Sequence, residues 1–198
     1  DWLKVPLAGG ERYQRVRDTL RGGHLHTVCE EAHCPNVGEC WGGGTATVML
    51  MGDVCTRGCR FCDVPKGRPG AYDREEPARV ADSVRLMGLK YAVITSVARD
   101  DLPDQGADVW AETIRRVRLA APECRLEVLI PDMQGNLELV DRILAAGPDI
   151  GDAYREGSER GRVNDEGLAS GLAHSSDGDP GGARGCGSRT RGRCSPRR

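Results

Sequence analysis

Clustered cysteines constrain this chain more than any other feature of its sequence, because six of the nine lie between positions 29 and 62. They form two groups, CX4CX5C and CX3CX2C, made of Cys29, Cys34 and Cys40 and of Cys55, Cys59 and Cys62. Thiolates are the ligands that hold zinc and iron–sulfur clusters. The apolar segment 45–51 between the groups is predicted to be a strand. Two triads of different spacing, one on each side of a strand, predict two separate metal sites.

Composition indicates the compartment and the classes of partner. The net charge is −2 and the sequence pI is about 6.1, so no strong charge favours nucleic acid or an anionic membrane. No apolar run reaches the length of a transmembrane helix, and no apolar signal region opens the chain. We expect a cytoplasmic protein without nucleic-acid or membrane partners, in which clustered cysteines bind metal and do not form disulfides.

Alternating strand and helix patterns follow the first triad. The apolar run at 91–97, YAVITSV, is typical of a strand buried on both faces of a parallel sheet. Strand–helix alternation of this kind predicts an α/β fold with a parallel sheet and three βα units. The predicted strands are 45–51, 91–97 and 126–130, and the predicted helices are 77–89, 107–121 and 136–146. A further helix is predicted before the first triad, where Tyr13, Val16 and Leu20 recur at helical spacing and Gly22 ends the pattern.

The composition changes abruptly near position 150. Asp149 and Ile150 resemble the beginning of a fourth strand, but we expect it not to continue. Residues 151–198 are dominated by Gly, Arg, Ser and Asp, and such a segment buries too little apolar surface to offset its ordering entropy. We predict a disordered tail, either a natural flexible extension or, as we favour, the product of a shifted reading frame. The predicted divisions are 1–44 with the first triad, 45–150 as a partial barrel, and 151–198.

The CX3CX2C triad has a spacing suited to an iron–sulfur cluster. Three thiolates can bind three irons of a [4Fe–4S] cluster and leave the fourth iron open to a chelating substrate. The triad follows the first strand, and active sites of parallel α/β proteins lie at the carboxyl ends of strands. Two alternatives stay open: three small core residues on one helix face, or a zinc site. Zinc is disfavoured because the repeated CX2C pairs of zinc ribbons are missing.

These motifs resemble the lipoyl synthase family of the radical S-adenosylmethionine (SAM) superfamily. CX3CX2C with Phe61 before the last cysteine is similar to the superfamily signature. The preceding CX4CX5C narrows the resemblance to the family, which covers residues 1–150. The matching segments are DWLKV, LHTVCEEAHCPNVGECW, GTATVMLMGDVCTRGCRFCDVPKGRP, YAVITSV, RDDLPD and LEVLIPD.

The resemblance implies a partial (β/α) TIM-type barrel and a sulfurtransferase activity. It implies that Cys55, Cys59 and Cys62 hold a [4Fe–4S] cluster that binds S-adenosylmethionine and generates a 5′-deoxyadenosyl radical. An auxiliary [4Fe–4S] cluster, held by Cys29, Cys34 and Cys40, would supply the sulfurs inserted at C6 and C8 of an octanoyl-lysine. The implied partners are an octanoylated lipoyl carrier domain or protein and an electron donor such as ferredoxin or flavodoxin.

Other candidate residues are less specific. Thr95 and Ser96, at the end of the second predicted strand, are candidates for cofactor binding, although ordinary strand-end hydroxyls fit equally well. Glu127 and Arg99 could contact cofactor or substrate, or be solvated surface charges. Cys124 is expected in the core.

Parts of the family pattern are missing. The family closes its barrel with further strands and takes a fourth auxiliary ligand from a serine in an RSSY-like motif, which this chain lacks. We therefore expect weak activity or none. The alternatives are another sulfur-inserting radical SAM enzyme, such as a biotin synthase relative, which should lack CX4CX5C, or a non-catalytic iron–sulfur or zinc module, which would not cleave S-adenosylmethionine.

Overall fold

The computed structural model describes residues 9–60, 62–154 and 161–163. Helices precede and follow the strands in the order expected for an α/β fold. The helices are α1 (Glu11–Gly22), α2 (Val28–Glu31), α3 (Val37–Gly43), α4 (Glu76–Met87), α5 (Ala107–Ala120) and α6 (Leu137–Leu144). The strands are β1 (Thr45–Leu50), β2 (Tyr91–Ser96), β3 (Arg125–Pro131), β4 (Ile150–Tyr154) and β5 (Gly161–Val163), with a 3-10 turn at Met133–Gly135.

The strands form one sheet in the order β1-β2-β3-β4-β5. Strands β1 to β4 are parallel, and β5 pairs antiparallel with β4. The predicted α/β class, with three βα units of a partial barrel, is confirmed. The prediction that the fourth strand does not continue is wrong, because β4 runs from Ile150 to Tyr154 and pairs with β3 along its length. The predicted disorder is also wrong for residues 151–154 and 161–163, because backbone pairing holds them in β4 and β5.

The two faces of the sheet differ in burial. Side chains alternate between faces along a strand, and every second residue packs against the helices. This helix-covered face is almost fully buried and consists of Ala46, Val48, Leu50, Ala92, Ile94, Leu126, Val128 and Ile130. Residues of β2 and β3 on the other face, which include Val93, Thr95 and Leu129, are only half-buried. This second face corresponds to the inside of a barrel.

Helix α4 shows why the predicted helices form where they do. Pro77 lies in the first turn, where its missing N–H costs no hydrogen bond, and the helix ends at Gly88, whose φ of 60° is left-handed. Between these residues, Val80 and Val84 are fully buried and belong to the core. The predicted helices agree with α4, α5 and α6 to within two residues at each end, and α1 is confirmed as well.

The N-terminal segment contains two short helices that the sequence did not predict. The turn-forming residues around Pro35 give this segment no helical pattern in the sequence. Tertiary contacts stabilise α2 and α3 in the folded chain. Trp41 of α3 is fully buried, and its ring centroid lies 5.1 Å from that of Tyr13 on α1. The segment also protects the free edge of β1, since the N–H of Met49 donates to the carbonyl oxygen of His26 at 2.9 Å.

Several predictions fall on residues outside the described ranges. They include the matching segment DWLKV, Phe61 of the CX3CX2C motif, the expectation that Cys186 and Cys194 belong to neither site, and the predicted disorder of residues 155–160 and 164–198. Among the described residues, no helix combines the length and apolar character needed to cross a membrane.

Candidate cluster-binding site

The first triad lies on the two short helices before β1. Cys29 is in α2, Cys40 is in α3, and Cys34 is in the turn between them. The N–H of Cys34 donates to the carbonyl oxygen of Cys29 at 3.1 Å, and the N–H of Cys40 donates to that of Asn36 at 3.0 Å. Cys29 and Cys40 also pack against the main core. The triad is therefore attached to the rest of the fold at two of its three members.

Thr27 attaches the start of this segment to the sheet. Its hydroxyl accepts a hydrogen bond from the N–H of Cys29 at 3.1 Å and donates one to the carbonyl oxygen of Thr47 at 2.6 Å. The residue is almost completely buried. As the N-cap of α2, Thr27 orients Cys29 relative to β1.

The other two thiols of the first triad influence the thiol of Cys40 electrostatically. Burial raises the pKa of Cys40, and the neighbouring Cys29, Cys34 and Glu39 raise it further. Negative charge on these neighbours disfavours ionisation of Cys40 because like charges repel. A bound cation or cationic cluster would relieve this repulsion, and all three thiols are of the ligand type that iron–sulfur clusters use. The donor set of the first triad therefore fits such a cluster.

The second triad lies in the loop that follows β1, and this loop closes on itself. The N–H of Cys55 donates to the carbonyl oxygen of Pro65 at 2.9 Å, and the N–H of Gly67 donates to that of Cys55 at 3.0 Å. Within the loop, the N–H of Cys62 donates to the carbonyl oxygen of Cys59 at 3.2 Å. These contacts place the three cysteines in one compact loop at the carboxyl end of β1, as the sequence predicted.

The sulfur of Cys55 accepts two backbone hydrogen bonds. The N–H of Arg57 lies 3.4 Å from Sγ, and the N–H of Ala98, just after β2, lies 3.3 Å from it. Hydrogen bonds to a ligating sulfur stabilise negative charge on it and tune the metal site. The structure therefore supplies donors to a sulfur that would carry negative charge as a ligand.

Arg57 joins the second triad to the neighbouring strands. Its Nε and Nη2 donate to the two carboxylate oxygens of Asp100 at 2.8 and 2.7 Å, and its Nη1 donates to Oδ1 of Asp132 at 2.5 Å. The three side chains are 19%, 21% and 23% exposed. Mainly through its hydrogen bonds, Arg57 holds the pKa of Asp100 below its ordinary value, and the pKa of Arg57 is raised in turn, chiefly by Asp100.

Glu76 supports the turn between β1 and the cysteine loop. Its side chain is buried and accepts a hydrogen bond from the N–H of Met51 at 2.8 Å. Met51 has a φ of 67°, which costs energy for a residue with a side chain. The bond to Glu76 helps to hold this turn, and burial raises the pKa of the carboxyl.

Arg99, a predicted candidate, is held within the loops around the site. It donates two hydrogen bonds of 2.8 Å to Asp101 and one of 3.0 Å to the carbonyl oxygen of Gly70. Its side chain is 2% exposed, so it is not the solvated surface charge that was considered.

The remaining candidates lie on the sheet. The hydroxyl of Thr95 donates to the carbonyl oxygen of Leu129 at 3.0 Å, on the half-buried face, whereas Ser96 shares the helix-covered side with Ile94. The buried Ser96 hydroxyl has no hydrogen-bond partner within the described part of the chain. Glu127 accepts a hydrogen bond from the hydroxyl of Tyr91. The structure thus brings Thr95 and Glu127, but not Ser96, to the face that a barrel would enclose. Cys124 is buried in the core as predicted.

The two cysteine segments meet at residues next to the predicted ligands. Nδ1 of His33 lies 3.2 Å from Oδ2 of Asp63, and these residues adjoin Cys34 and Cys62. Within residues 9–60 and 62–154, no three His, Cys, Asp or Glu side chains converge on one point as ligands of a single metal ion would. The thiolates of a [4Fe–4S] cluster bind different irons, so a cluster does not require such convergence. The cysteine ligand sets remain a prediction.

Sequence reasoning missed several residues that organise this site. Arg57, Asp100, Asp132 and Glu76 were assigned no role. Three of them share one signal: each is a charged residue in a loop that follows a strand, and the carboxyl ends of parallel strands meet at one edge. Glu76 carried no such signal, because only the folded structure places it against Met51.

Comparisons with known proteins show which proteins the chain is similar to. The model of the radical SAM superfamily matches residues 49–151, and the model of the N-terminal domain of lipoyl synthase of the radical SAM family matches residues 1–34. The chain is 55% identical over 150 residues to a lipoyl synthase of Roseiflexus sp. (strain RS-1), covering 76% of this chain and 50% of the relative.

Other relatives give the same result. Identity is 58% over 150 residues to a lipoyl synthase of Anaeromyxobacter sp. (strain Fw109-5), covering 75% of this chain and 51% of the relative. It is 53% over 150 residues to one of Parabacteroides distasonis, covering 76% and 53%. The chain therefore spans about half the length of the curated relatives it matches. The resemblance predicted from the sequence is confirmed.

Proposed function

The chain belongs to the radical SAM superfamily and matches the lipoyl synthases within it, and on this premise we propose that it inserts sulfur into a protein-bound octanoyl chain. The reaction would replace one C–H bond at C6 and one at C8 by C–S bonds, and each abstracted hydrogen atom would end on 5′-deoxyadenosine. The product would be the lipoyl cofactor on its carrier lysine.

In this proposal, Cys55, Cys59 and Cys62 hold the cluster that binds S-adenosylmethionine, and Cys29, Cys34 and Cys40 hold an auxiliary cluster. When bound, the two [4Fe–4S] clusters and S-adenosylmethionine supply a 5′-deoxyadenosyl radical and the sulfur to be inserted. The chain's own residues bind and orient these groups. Thr95 is the strand-end hydroxyl that we keep as a candidate for cofactor binding, because it lies on the half-buried face with Glu127. Ser96 remains a weaker candidate because of its opposite orientation.

The observation that carries the proposal is the position of the CX3CX2C loop. It follows β1 at the carboxyl edge of a parallel sheet, and contacts from Arg57 and Thr56 attach it to the ends of the neighbouring strands. The sulfur of Cys55 receives two N–H donors there. A loop held in this way would place a cluster at the carboxyl edge of the sheet, where active sites of parallel α/β proteins lie.

The partners belong to the proposal as well. The substrate would be an octanoylated lipoyl carrier domain or protein, and the reductant a one-electron donor such as ferredoxin or flavodoxin. A cytoplasmic location fits because thiols must stay reduced to bind iron.

An anaerobic assay tests the proposal. Reconstituted chain, S-adenosylmethionine, a one-electron reductant and an octanoylated carrier are combined, and the carrier is examined by mass spectrometry together with 5′-deoxyadenosine. Because the chain spans about half the length of its curated relatives, we expect small amounts of 5′-deoxyadenosine and of a carrier that gains two sulfurs. The carrier is expected as the dithiol in this reducing assay, and loses two hydrogens only when the dithiol is later oxidised to the disulfide. The Cys55→Ala variant should form neither product, whereas Cys124→Ala, which changes a cysteine outside both triads, should behave like the unmodified chain.

The assay also separates the alternatives. A chain that binds iron but forms no 5′-deoxyadenosine would be a non-catalytic cluster module. A chain that forms 5′-deoxyadenosine but leaves the octanoyl carrier unchanged would contradict sulfur insertion into this substrate.

A further inference from the structure

An arginine inside the cysteine motif connects the cysteine loop to two neighbouring loops. Arg57 lies between Cys55 and Cys59 and is not itself a ligand candidate. Its guanidinium makes a bidentate contact with Asp100 and a further contact with Asp132, through three hydrogen bonds of 2.5–2.8 Å. Such fork-shaped contacts fix direction as well as distance, which a lysine cannot do at both partners.

The three residues come from three successive strand ends. Arg57 follows β1, Asp100 follows β2 and Asp132 follows β3. Each lies in the loop that follows a strand of the parallel sheet, so one side chain ties the cysteine loop to two neighbouring loops. We call Arg57, Asp100 and Asp132 the arginine junction.

A second set of contacts reinforces the same attachment. The N–H and the hydroxyl of Thr56 both donate to the carbonyl oxygen of Ala98, at 3.1 and 2.9 Å. The hydroxyl of Thr56 also lies 2.9 Å from Asp100. The loop is thus held against the residue whose own N–H reaches the sulfur of Cys55 at 3.3 Å.

The geometry points to the arginine junction as the device that positions the two N–H···S hydrogen bonds at Cys55. Through these two hydrogen bonds, Arg57 sets the reduction potential of the cluster on that loop. Arg57 is therefore a positioning residue, acting through the backbone of its own loop and of Ala98. The part of this inference that concerns the potential rests on the proposed function, because it requires a cluster on Cys55.

The direction of the effect follows from charge. An N–H donor stabilises the more negatively charged, reduced form of a cluster, and hydrogen bonds to the sulfurs are among the determinants of cluster potentials. Without Arg57, the two carboxylates would be left close together without their shared cation, and the loop would separate from Ala98. The N–H donors would then be lost, and the reduction potential would become more negative.

The test compares Arg57→Met with Arg57→Lys and with a matched control. Arg115→Met removes an arginine of α5 that pairs with Glu112 on an exposed helix surface, away from the strand ends. Redox titration of the reconstituted chain, followed by electron paramagnetic resonance, should give a more negative potential for Arg57→Met, a smaller shift for Arg57→Lys and no shift for Arg115→Met. A potential unchanged in both Arg57 variants would overturn the inference.

A measurement on the chain without iron separates this inference from the proposed function. Hydrogen exchange at the amides of Thr56 and Ala98 should be about tenfold faster or more in Arg57→Met than in Arg115→Met, since a hydrogen bond to a charged group contributes a factor of this order. Unchanged exchange would overturn the positioning role even if no cluster assembled. Faster exchange in a chain that fails to bind iron would support the positioning role while contradicting the proposed function. If Arg57→Met does not fold, Arg57→Lys supplies both readouts.

Discussion

The hydroxyl of Thr27 donates a 2.6 Å hydrogen bond to the carbonyl oxygen of Thr47 while it caps the helix that carries Cys29. One buried hydroxyl therefore connects the first cysteine segment to β1. We expect Thr27→Val to lower the free energy of unfolding by about 1–3 kcal/mol, because both hydrogen bonds are lost at almost unchanged volume. Chemical denaturation measures this, and Thr27→Ser, which keeps the hydroxyl, is the control. Equal losses in the two variants would show that the methyl group matters and the hydroxyl does not.

The packing of α1 against the core gives a second prediction. Leu20 is fully buried, whereas Leu119 on α5 is 84% exposed. Leu20→Ala should lower the free energy of unfolding by about 2–5 kcal/mol, since it leaves a cavity as well as losing apolar contacts. Leu119→Ala should change it by less than about 0.5 kcal/mol. Thermal or denaturant unfolding would distinguish them, and similar values for both variants would contradict the placement of α1.

Glu76 should make stability depend on pH in a direction that can be derived. Burial raises the pKa of Glu76 in the folded state, so between its unfolded and folded pKa values the folded chain binds more protons. Stability should therefore fall as pH rises through the folded pKa. Glu76→Gln keeps an oxygen that can accept from Met51 but cannot ionise, and should lack this dependence.

Denaturation measured across pH, with and without Glu76→Gln, checks the prediction. Glu76→Ala should be less stable at every pH, because the N–H of Met51 loses its acceptor. An identical pH profile for Glu76→Gln and the unmodified chain would contradict the role assigned to the buried carboxyl.

Asp100 should make stability depend on pH in the direction opposite to that of Glu76. Hydrogen bonds from Arg57 are the largest cause of its lowered pKa, so in the range between the folded and unfolded pKa values the unfolded chain binds more protons. The stabilisation is complete above the ordinary pKa of aspartate, about 3.9, and is lost as pH falls through the folded value. Asp100→Asn should therefore be less stable than the unmodified chain near neutral pH, and the difference should shrink in acid.

Asp108→Asn is the matched control for this experiment, since Asp108 pairs with Arg142 at a site where the aspartate side chain is 73% exposed. It should have little effect on stability at any pH. An Asp100→Asn deficit that persists unchanged in acid would mean that the loss is steric and does not come from the ion pair.

The outer helices and central strands were predictable because their signals are local. The apolar run at 91–97 and the helical spacing of Val80, Val84 and Met87 indicate buried elements whatever surrounds them. In contrast, α2 and α3 depend on contacts distant in sequence, such as the burial of Trp41 and the bond from Thr27 to Thr47. The fourth strand was missed for a related reason. Backbone pairing with β3 stabilises it, and its sequence shows no apolar run.

The sequence predicts ligands for the candidate site, whereas the residues that support the cysteine loop could not be predicted from it. The spacing of cysteines indicates a class of metal site from the sequence alone. The contacts of Arg57 could not be found in this way, because its partners follow it by 43 and 75 residues and meet it only through the register of the sheet. Ser96 shows the reverse case: it is adjacent to Thr95 in sequence, yet strand alternation directs the two side chains to opposite faces.

The most direct test of two separate clusters is anaerobic iron and sulfide analysis, combined with electron paramagnetic resonance with and without S-adenosylmethionine. Two [4Fe–4S] clusters predict about eight irons per chain, and S-adenosylmethionine should change the spectrum. Replacing Cys29, Cys34 and Cys40 by alanine should leave about four irons and keep that change. Replacing Cys55, Cys59 and Cys62 should also leave about four irons but abolish it. Zinc in place of iron, or a response to S-adenosylmethionine that survives loss of the second triad, would contradict the account.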